Sequence, residues 1–475
     1  MFFLRRSLWG FVILSVMICL LVPVQATTDA VSDAVSQGCA TLDGQVSLTQ
    51  GRVVETAKSV ILYDRDTDTL VYSWAPDERL DPSGMNKIMT AMLVIEKCDL
   101  DQVVTVSKEA LSSVGIGSVS AGLKAGEQLS VRDLLYCMMV GSANDAAAVL
   151  AEYVAGSQAG FISMMDEKLV ELGCSDTRFL NANGLTAEGQ YTTARDLAKI
   201  TLAALEDPFF VELFGAVEYT VAATEVSEER VLLTTNYLMS DKSVRNYLDS
   251  RVTGGKTGAL TTTDRSIIST AEKDGVRYLA VVMSAQSTLT ANGHAVKSFG
   301  NFNETRKLLD HGFGQYSARQ LLHRQQVMDQ FPVSGGENDV VGRPAMDITV
   351  SLPLDASMED VSYRCVLLDG GLTAPLERDQ TIGSVQVWFR EICVGQCDLV
   401  AMYDVSEPGV DNISLVPTAQ DQARRAWTTW LLVGGIVILV VVIVSIGILF
   451  GMRQVRIAQV KKRHRLISGE KIDRR

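Results

Sequence analysis

A lysine near the start of an otherwise apolar helix is the first residue in this chain equipped for chemistry. In Asp81-Pro82-Ser83-Gly84-Met85-Asn86-Lys87-Ile88-Met89-Thr90, Pro82 suits the start of a helix. After Lys87, the apolar residues Ile88, Met92 and Ile95 recur at helical spacing, so that face is buried. A lone lysine in such a place ordinarily snorkels, with its stem on apolar surface and its charge in water. A desolvated lysine has a lowered pKa and can take a proton from a hydroxyl. Two downstream segments favour the chemical reading: Ser142-Ala143-Asn144 and Lys256-Thr257-Gly258. Taken singly, the first reads as loop and cap residues and the second as a strand end. Together they offer hydroxyl, amine and amide groups. An acyl transfer needs a nucleophile, a base, a grip on the substrate carboxylate and an oxyanion site.

The elements around these segments alternate in a way that suits one sheet with helices. Ser59–Tyr63 and Thr69–Tyr72 are β-rich runs joined by Asp64-Arg65-Asp66-Thr67-Asp68, which predicts a hairpin. A helix follows Lys87, and Val103–Val106 is a short strand. Ser130-Val131-Arg132-Asp133 opens a capping-box-like helix whose apolar face is Leu134, Leu135, Met138 and Met139. Ser142-Ala143-Asn144 is the turn before the next helix, Asp145–Val154. Tyr191–Asp196 caps a helix running to about Leu205. Strands resume near Val217–Val221, and Arg251–Gly258 precedes strand-like runs at Ser266–Thr270 and Tyr278–Met283. The helix Thr305–Gly312 should pack across that sheet. Strands, then helices, then strands predict an α+β domain. From about residue 325 to 405, period-two runs such as Met346–Leu352 and Ile382–Trp388 predict a small separate β domain.

The three segments resemble the Ser-x-x-Lys, Ser-x-Asn and Lys-Thr-Gly motifs of penicillin-binding proteins and serine β-lactamases. The order and spacing are most similar to the D-alanyl-D-alanine carboxypeptidase family, the low-molecular-mass penicillin-binding proteins of peptidase family S11. Asn181-Ala182-Asn183-Gly184-Leu185 and Tyr191–Asp196 resemble family segments too. Leu372-Thr373-Ala374-Pro375-Leu376 with Thr381-Ile382-Gly383 resembles the family's C-terminal domain. The resemblance covers about residues 50–405. It implies a transpeptidase-type domain over 51–320 and a β domain over 325–405. It further implies that Lys87 is the base and that Ser142 relays a proton to the leaving amine. Asn144 would hold Lys87 and the substrate amide, while Lys256 and Thr257 would bind the terminal carboxylate of a D-alanine. Gly258 would let the substrate backbone lie close to the strand.

At one position the chain departs from the family. The usual Pro-Ala-Ser-Met-Thr-Lys reads here Pro82-Ser83-Gly84-Met85-Asn86-Lys87. Aligned on Met85 and Lys87, the nucleophilic serine falls on Gly84, which cannot form an acyl-enzyme. Ser83 is adjacent, but one residue along a helix turns a side chain by roughly 100° and shifts it about 1.5 Å. Reacting atoms must meet within about 3–3.5 Å. Ser83 reads better as the N-cap of the helix.

The chain ends and composition bound the setting. Residues 1–26 read as a secretory signal, with Arg5 and Arg6 before an apolar run and Val24-Gln25-Ala26 as a cleavage site; the length of the run leaves an uncleaved anchor as the alternative. Residues 27–50 read as a flexible lead-in and 406–425 as a linker. Ala426–Met452 is uncharged and long enough to span a bilayer, with Trp427 and Trp430 at one end. The basic tail 453–475 is then cytoplasmic, which puts residues 27–425 outside the cell. A net charge of −13 argues against nucleic acid as a partner. Of the eight cysteines, Cys19 lies in the signal. Cys137 and Cys174 read as core residues, and Cys365 with Cys393 or Cys397 is a candidate disulfide. Cys393 and Cys397 lack the companions a zinc site needs, and neither a metal nor a cofactor is expected.

Three functions follow. The first is a membrane-anchored carboxypeptidase homologue, impaired in covalent catalysis, that binds peptidoglycan stem peptides, β-lactams or a wall-synthesis partner. The second is an active carboxypeptidase using Ser83. The third is a non-catalytic scaffold acting through its β domain.

Overall fold

The computed structural model describes residues 39–408 apart from 45, 116, 241 and 243–246. The expected signal, anchor and tail (1–26, 426–452 and 453–475) lie outside the described residues. Among the described residues, no helix is long and apolar enough to cross a membrane.

The hairpin forms as the run of β-branched and aromatic residues requires. Strands β1 (Ser59–Asp64) and β2 (Thr69–Trp74) pair antiparallel. β3 (Val252–Ala259), β4 (Asp264–Lys273) and β5 (Val276–Gln286) complete an antiparallel sheet in the order β2–β1–β5–β4–β3. Alternate residues of β1 serve different cores, because successive strand side chains point to opposite faces. Ile61 and Tyr63 join a large helical core with Leu279 and Val281. Val60 and Leu62 join a second core with Phe302, Leu308 and Leu309 on the other face. Among the helices of the larger core are α1 (Lys87–Lys97), α2 (Val131–Met139), α3 (Asn144–Ala155) and α4 (Ala194–Ala204). Helix α5 (Gly300–Gln315) covers the opposite face and is longer than the Thr305–Gly312 expected. Caps fix the starts of two helices. Ser130 Oγ accepts from the Asp133 amide at 3.0 Å, and Thr193 Oγ1 from the Asp196 amide at 3.1 Å.

The β-rich part begins before residue 325. Strand β6 (Tyr316–Leu322) leaves α5 directly and pairs with β9 (Ile348–Pro353). A second antiparallel sheet runs β7–β8–β12–β11–β10. Its strands are β7 (Gln330–Phe331), β8 (Val340–Pro344), β10 (Val361–Leu367), β11 (Thr381–Phe389) and β12 (Ile392–Ala401). It has its own core around Leu322, Ile382, Val385, Val387 and Leu399. Hydrogen bonds join the two parts. Buried Ser351 donates from Oγ to Asp64 Oδ2 at 2.7 Å, and its amide donates to Thr69 Oγ1 at 3.2 Å.

Two expectations fail at this junction. Cys393 bonds to Cys39, not to Cys365, and Cys365 and Cys397 are free. The pairing spans 354 residues of sequence, so no local spacing could announce it. The described part of the expected lead-in, from residue 39 to 50, is held in place. The Leu70 amide donates to the Ala40 carbonyl at 2.7 Å, and the Leu48 and Thr49 amides donate to the Leu70 and Val71 carbonyls. Arg195 adds a bond to the Gly44 carbonyl at 2.7 Å. The physical reason is that β2 is an edge strand whose backbone groups need partners, and this segment supplies them. Cys137 and Cys174 are free and buried, as expected of core residues.

Candidate active site

The three sequence segments converge on one cleft between the start of α1, the α2–α3 turn and β3. The helix wall begins with Asp81, whose Oδ1 accepts from the Ser83 amide at 2.7 Å. A short 3-10 turn, Ser83–Asn86, then leads into α1. Ser83 does not cap the helix, contrary to expectation. It sits at φ +49 and makes no side-chain cap bond. That backbone turns it onto β3, where its Cβ and Oγ would each lie 3.1 Å from a Cβ added to Gly258. Its carbonyl meets the 181–185 loop so closely that a Cβ on Gly184 would fall 2.0 Å from it.

Gly84 points elsewhere. A Cβ there would lie 3.7 Å from Ser142 Oγ, 3.1 Å from the Thr257 carbonyl oxygen and 3.8 Å from Gly258 Cα. A side chain at residue 84 would therefore project among the groups that the sequence singled out. The Thr257 carbonyl would have to give by a few tenths of an ångström to admit one.

Lys87 is 2% exposed, on the buried face that its apolar neighbours define. Its Nζ donates to Asn144 Oδ1 at 2.6 Å and to the Asn183 carbonyl. Burial pushes its pKa well below the usual lysine value, and the nearby Lys256 charge pushes it further. Asp145 opposes this, but its carboxylate is engaged with Ser120 Oγ and the amides of Ala121 and Leu123. Asn144 itself is fixed at the start of α3, its amide donating to the Val119 carbonyl at 2.8 Å.

The strand wall carries Lys256, 1% exposed, whose pKa burial lowers to about 7. Its Nζ donates to Ser142 Oγ at 2.8 Å and to the Thr257 carbonyl at 3.1 Å. Ser142 occupies the left-handed region at φ +57, uncommon for a residue other than glycine. Thr257 Oγ1 lies 2.6 Å from Thr235 Oγ1. Lys87, Ser142, Asn144, Lys256, Thr257 and Gly258 thus meet around the place where residue 84 lacks a side chain. The cluster offers a low-pKa amine, a hydroxyl held by a second amine, and hydroxyls able to grip a carboxylate. These are parts of an acyl-transfer site without a hydroxyl at its centre.

Sequence reasoning missed three contributors. Thr235 shares a hydrogen bond with Thr257 from a loop with no periodic signal. The Asn183 carbonyl receives Lys87, although only its segment's resemblance was noted. Asp81 fixes the turn before α1, and its position two residues before Ser83 was the available signal, since aspartate favours such turns.

Comparison with known proteins gives the family. Residues 47–287 match the family described as D-alanyl-D-alanine carboxypeptidase, and 316–407 match the penicillin-binding protein 5 C-terminal domain. The chain is 28% identical over 361 residues to D-alanyl-D-alanine carboxypeptidase DacF of Bacillus subtilis, covering 74% of this chain and 87% of that one. It is 29% identical over 363 residues to DacC of Escherichia coli, covering 74% and 85%. Penicillin-binding protein 5 from Haemophilus influenzae superposes with a TM-score of 0.61 at 26% identity, over 76% of this chain and 100% of that one. Penicillin-binding protein 6B from Escherichia coli gives 0.54 at 27% identity, over 74% and 97%.

Proposed function

Because this chain belongs to the D-alanyl-D-alanine carboxypeptidase family, peptidase S11, we propose that it binds peptidoglycan stem peptides ending in D-alanyl-D-alanine while lacking the family's usual nucleophile. Its general place is cell-wall metabolism, as a carboxypeptidase-like penicillin-binding protein. One observation carries the finer reading. The Cβ that Gly84 lacks would point at Ser142 Oγ, 3.7 Å away, in the middle of an otherwise complete cluster.

In this reading Lys256, Thr257 and Thr235 take the terminal carboxylate. Lys87, held by Asn144, stands ready as a base with no serine at residue 84 to activate. Asn144 also orients the peptide amide. In another serine hydrolase, removing the nucleophile costs about 10⁶ in turnover, so the loss at residue 84 is of the order that separates an enzyme from a binder. The route through Ser83 is disfavoured, because its backbone at φ +49 sets that side chain against Gly258 and it stands one residue out of the usual spacing from Lys87. Secretion by residues 1–26 and anchoring by Ala426–Met452 would put the cleft outside the cell, where stem peptides are; the apolar run and basic tail support this.

The test uses the full-length protein and a fluorescent penicillin. The Gly84→Ser variant should label at least about a thousandfold faster than the natural chain, within the loss attributed above to a missing nucleophile. Equal, negligible labelling of both would overturn the reading, because the cleft would then not be a disarmed penicillin site.

A further inference from the structure

We propose that Ser142 and Lys256 form a second serine–lysine pair, at which a D-alanyl-D-alanine peptide or a penicillin slowly acylates Ser142. This rests on the peptide-binding reading above, since it requires the same ligand in the same cleft. It assigns Ser142 the role of nucleophile, beyond the proton relay that the family resemblance implies.

Position is the first argument. Ser142 Oγ lies 3.7 Å from the point a Cβ on residue 84 would occupy. A carbonyl carbon seated for attack from residue 84 is therefore also beside Ser142. With glycine at 84, no hydroxyl there competes for it.

Activation is the second. Ser142 Oγ is 2.8 Å from Lys256 Nζ, within the range required of a nucleophile and its base. Lys256 is 1% exposed, and burial brings its pKa to about 7, so both forms are present near neutral pH. The cation grips the carboxylate, and the neutral fraction, with Thr257 and Thr235 left on the carboxylate, takes the Ser142 proton, which keeps the acylation slow. Presentation is the third. Ser142 stands at φ +57 on a tight turn between α2 and α3. The turn is fixed by the Ala143 amide on the Cys137 carbonyl at 3.0 Å and the Asn144 amide on the Val119 carbonyl at 2.8 Å. Backbone strain of this kind persists where the surroundings over-determine it, and it clusters at active sites.

The reaction needs no reactant beyond the ligand and water. The Ser142 hydroxyl proton passes to neutral Lys256 Nζ as Oγ bonds to the carbonyl carbon of the penultimate D-alanine. The C–N bond to the terminal D-alanine breaks, and its amine leaves with the proton from Lys256. Water then attacks the Ser142 ester and gives a proton to Lys256. The ester C–O bond breaks, Ser142 recovers its proton from Lys256, and the shortened peptide leaves as a carboxylic acid that gives its proton to solvent. With a penicillin the lactam C–N bond breaks, but the ring nitrogen stays tethered, so the adduct has the mass of the whole antibiotic.

The experiment is peptide mapping by mass spectrometry of the full-length natural protein after hours with benzylpenicillin, beside Ser142→Gly and Gly84→Ser. Glycine suits φ +57, so Ser142→Gly keeps the turn. The expected result is a whole-penicillin adduct on the peptide containing Ser142, reduced at least about tenfold in Ser142→Gly. An adduct on Ser83, or one unaffected by Ser142→Gly, overturns the proposal. No adduct on the natural chain, with rapid labelling of Gly84→Ser, also overturns it but leaves the peptide-binding reading standing. No adduct on any of the three proteins removes both.

Discussion

On one wall of the cleft, the turn Ser83–Asn86 and helix α1 keep a buried lysine but present no hydroxyl at residue 84. On the other wall, β3 keeps Lys256, Thr257 and Gly258 in a close set with Ser142 and Thr235. In the reading proposed above, the family's usual covalent chemistry belongs to the helix wall and recognition to the strand wall, which is left with only the slow Ser142–Lys256 reaction. The strand wall is built from backbone pairing with β4 and a buried amine, and it does not depend on what residue 84 carries. Glycine removes a side chain there while leaving the backbone that shapes the cleft.

The largest effect should come from rearming the helix wall. Gly84→Ser should raise the rate of penicillin acylation by about 10³ or more, read by gel fluorescence over time. A smaller gain would mean that the Thr257 carbonyl, 3.1 Å from the added Cβ, does not yield. Next comes disarming the strand wall. Lys256→Ala removes a charge-assisted hydrogen bond, a loss of about 1.5–3 kcal/mol. Binding of a fluorescent D-alanyl-D-alanine peptide should weaken by roughly 10- to 150-fold in anisotropy titrations, whereas Gly84→Ser should change initial binding little. Unchanged affinity in Lys256→Ala would break the comparison, since recognition would then lie elsewhere.

A third effect is on stability. Burial lowers the Lys256 pKa from 10.5 to about 7, so between these values the unfolded chain holds more protons than the folded one. Stability of the natural chain relative to Lys256→Met should therefore rise with pH from about 7 to 10.5, with the full cost of burying the charge present below that window. Urea unfolding of both proteins at pH 6.5 and 9.5 reads this, and a flat difference would mean that Lys256 reaches water. The smallest effect is at Ser83. Its φ of +49 is strained for serine, so Ser83→Gly should leave penicillin labelling unchanged and stabilise by about 1 kcal/mol in thermal unfolding. A loss of labelling there would put the chemistry back on Ser83.

Much of the cleft was legible because its residues are coded locally. The apolar face around Lys87 placed that lysine in the interior, and the Ser130 and Thr193 caps announced α2 and α4. The departure at Gly84 is likewise a matter of residue identity at fixed spacing from Lys87. The pairing of Cys39 with Cys393 and the bond between Ser351 and Asp64 were not legible. Each joins residues hundreds of positions apart whose meeting depends on how two sheets pack. Ser83 shows a subtler failure. Its type and position suited a helix cap, but Asp81 took the turn, and the resulting backbone aimed Ser83 at β3.

Sequence alone determined the α+β order of elements, the family likeness and the glycine at residue 84, because periodicity, capping and residue type are properties of short stretches. Only the tertiary structure decided that Ser142 Oγ rests on Lys256 beside the vacant side-chain position at residue 84. It also decided that Ala40, Leu48 and Thr49 close the edge of β2. The physical reason is that such distances are set by the packing of α1, the α2–α3 turn and β3 against a shared core, and no local pattern carries that information.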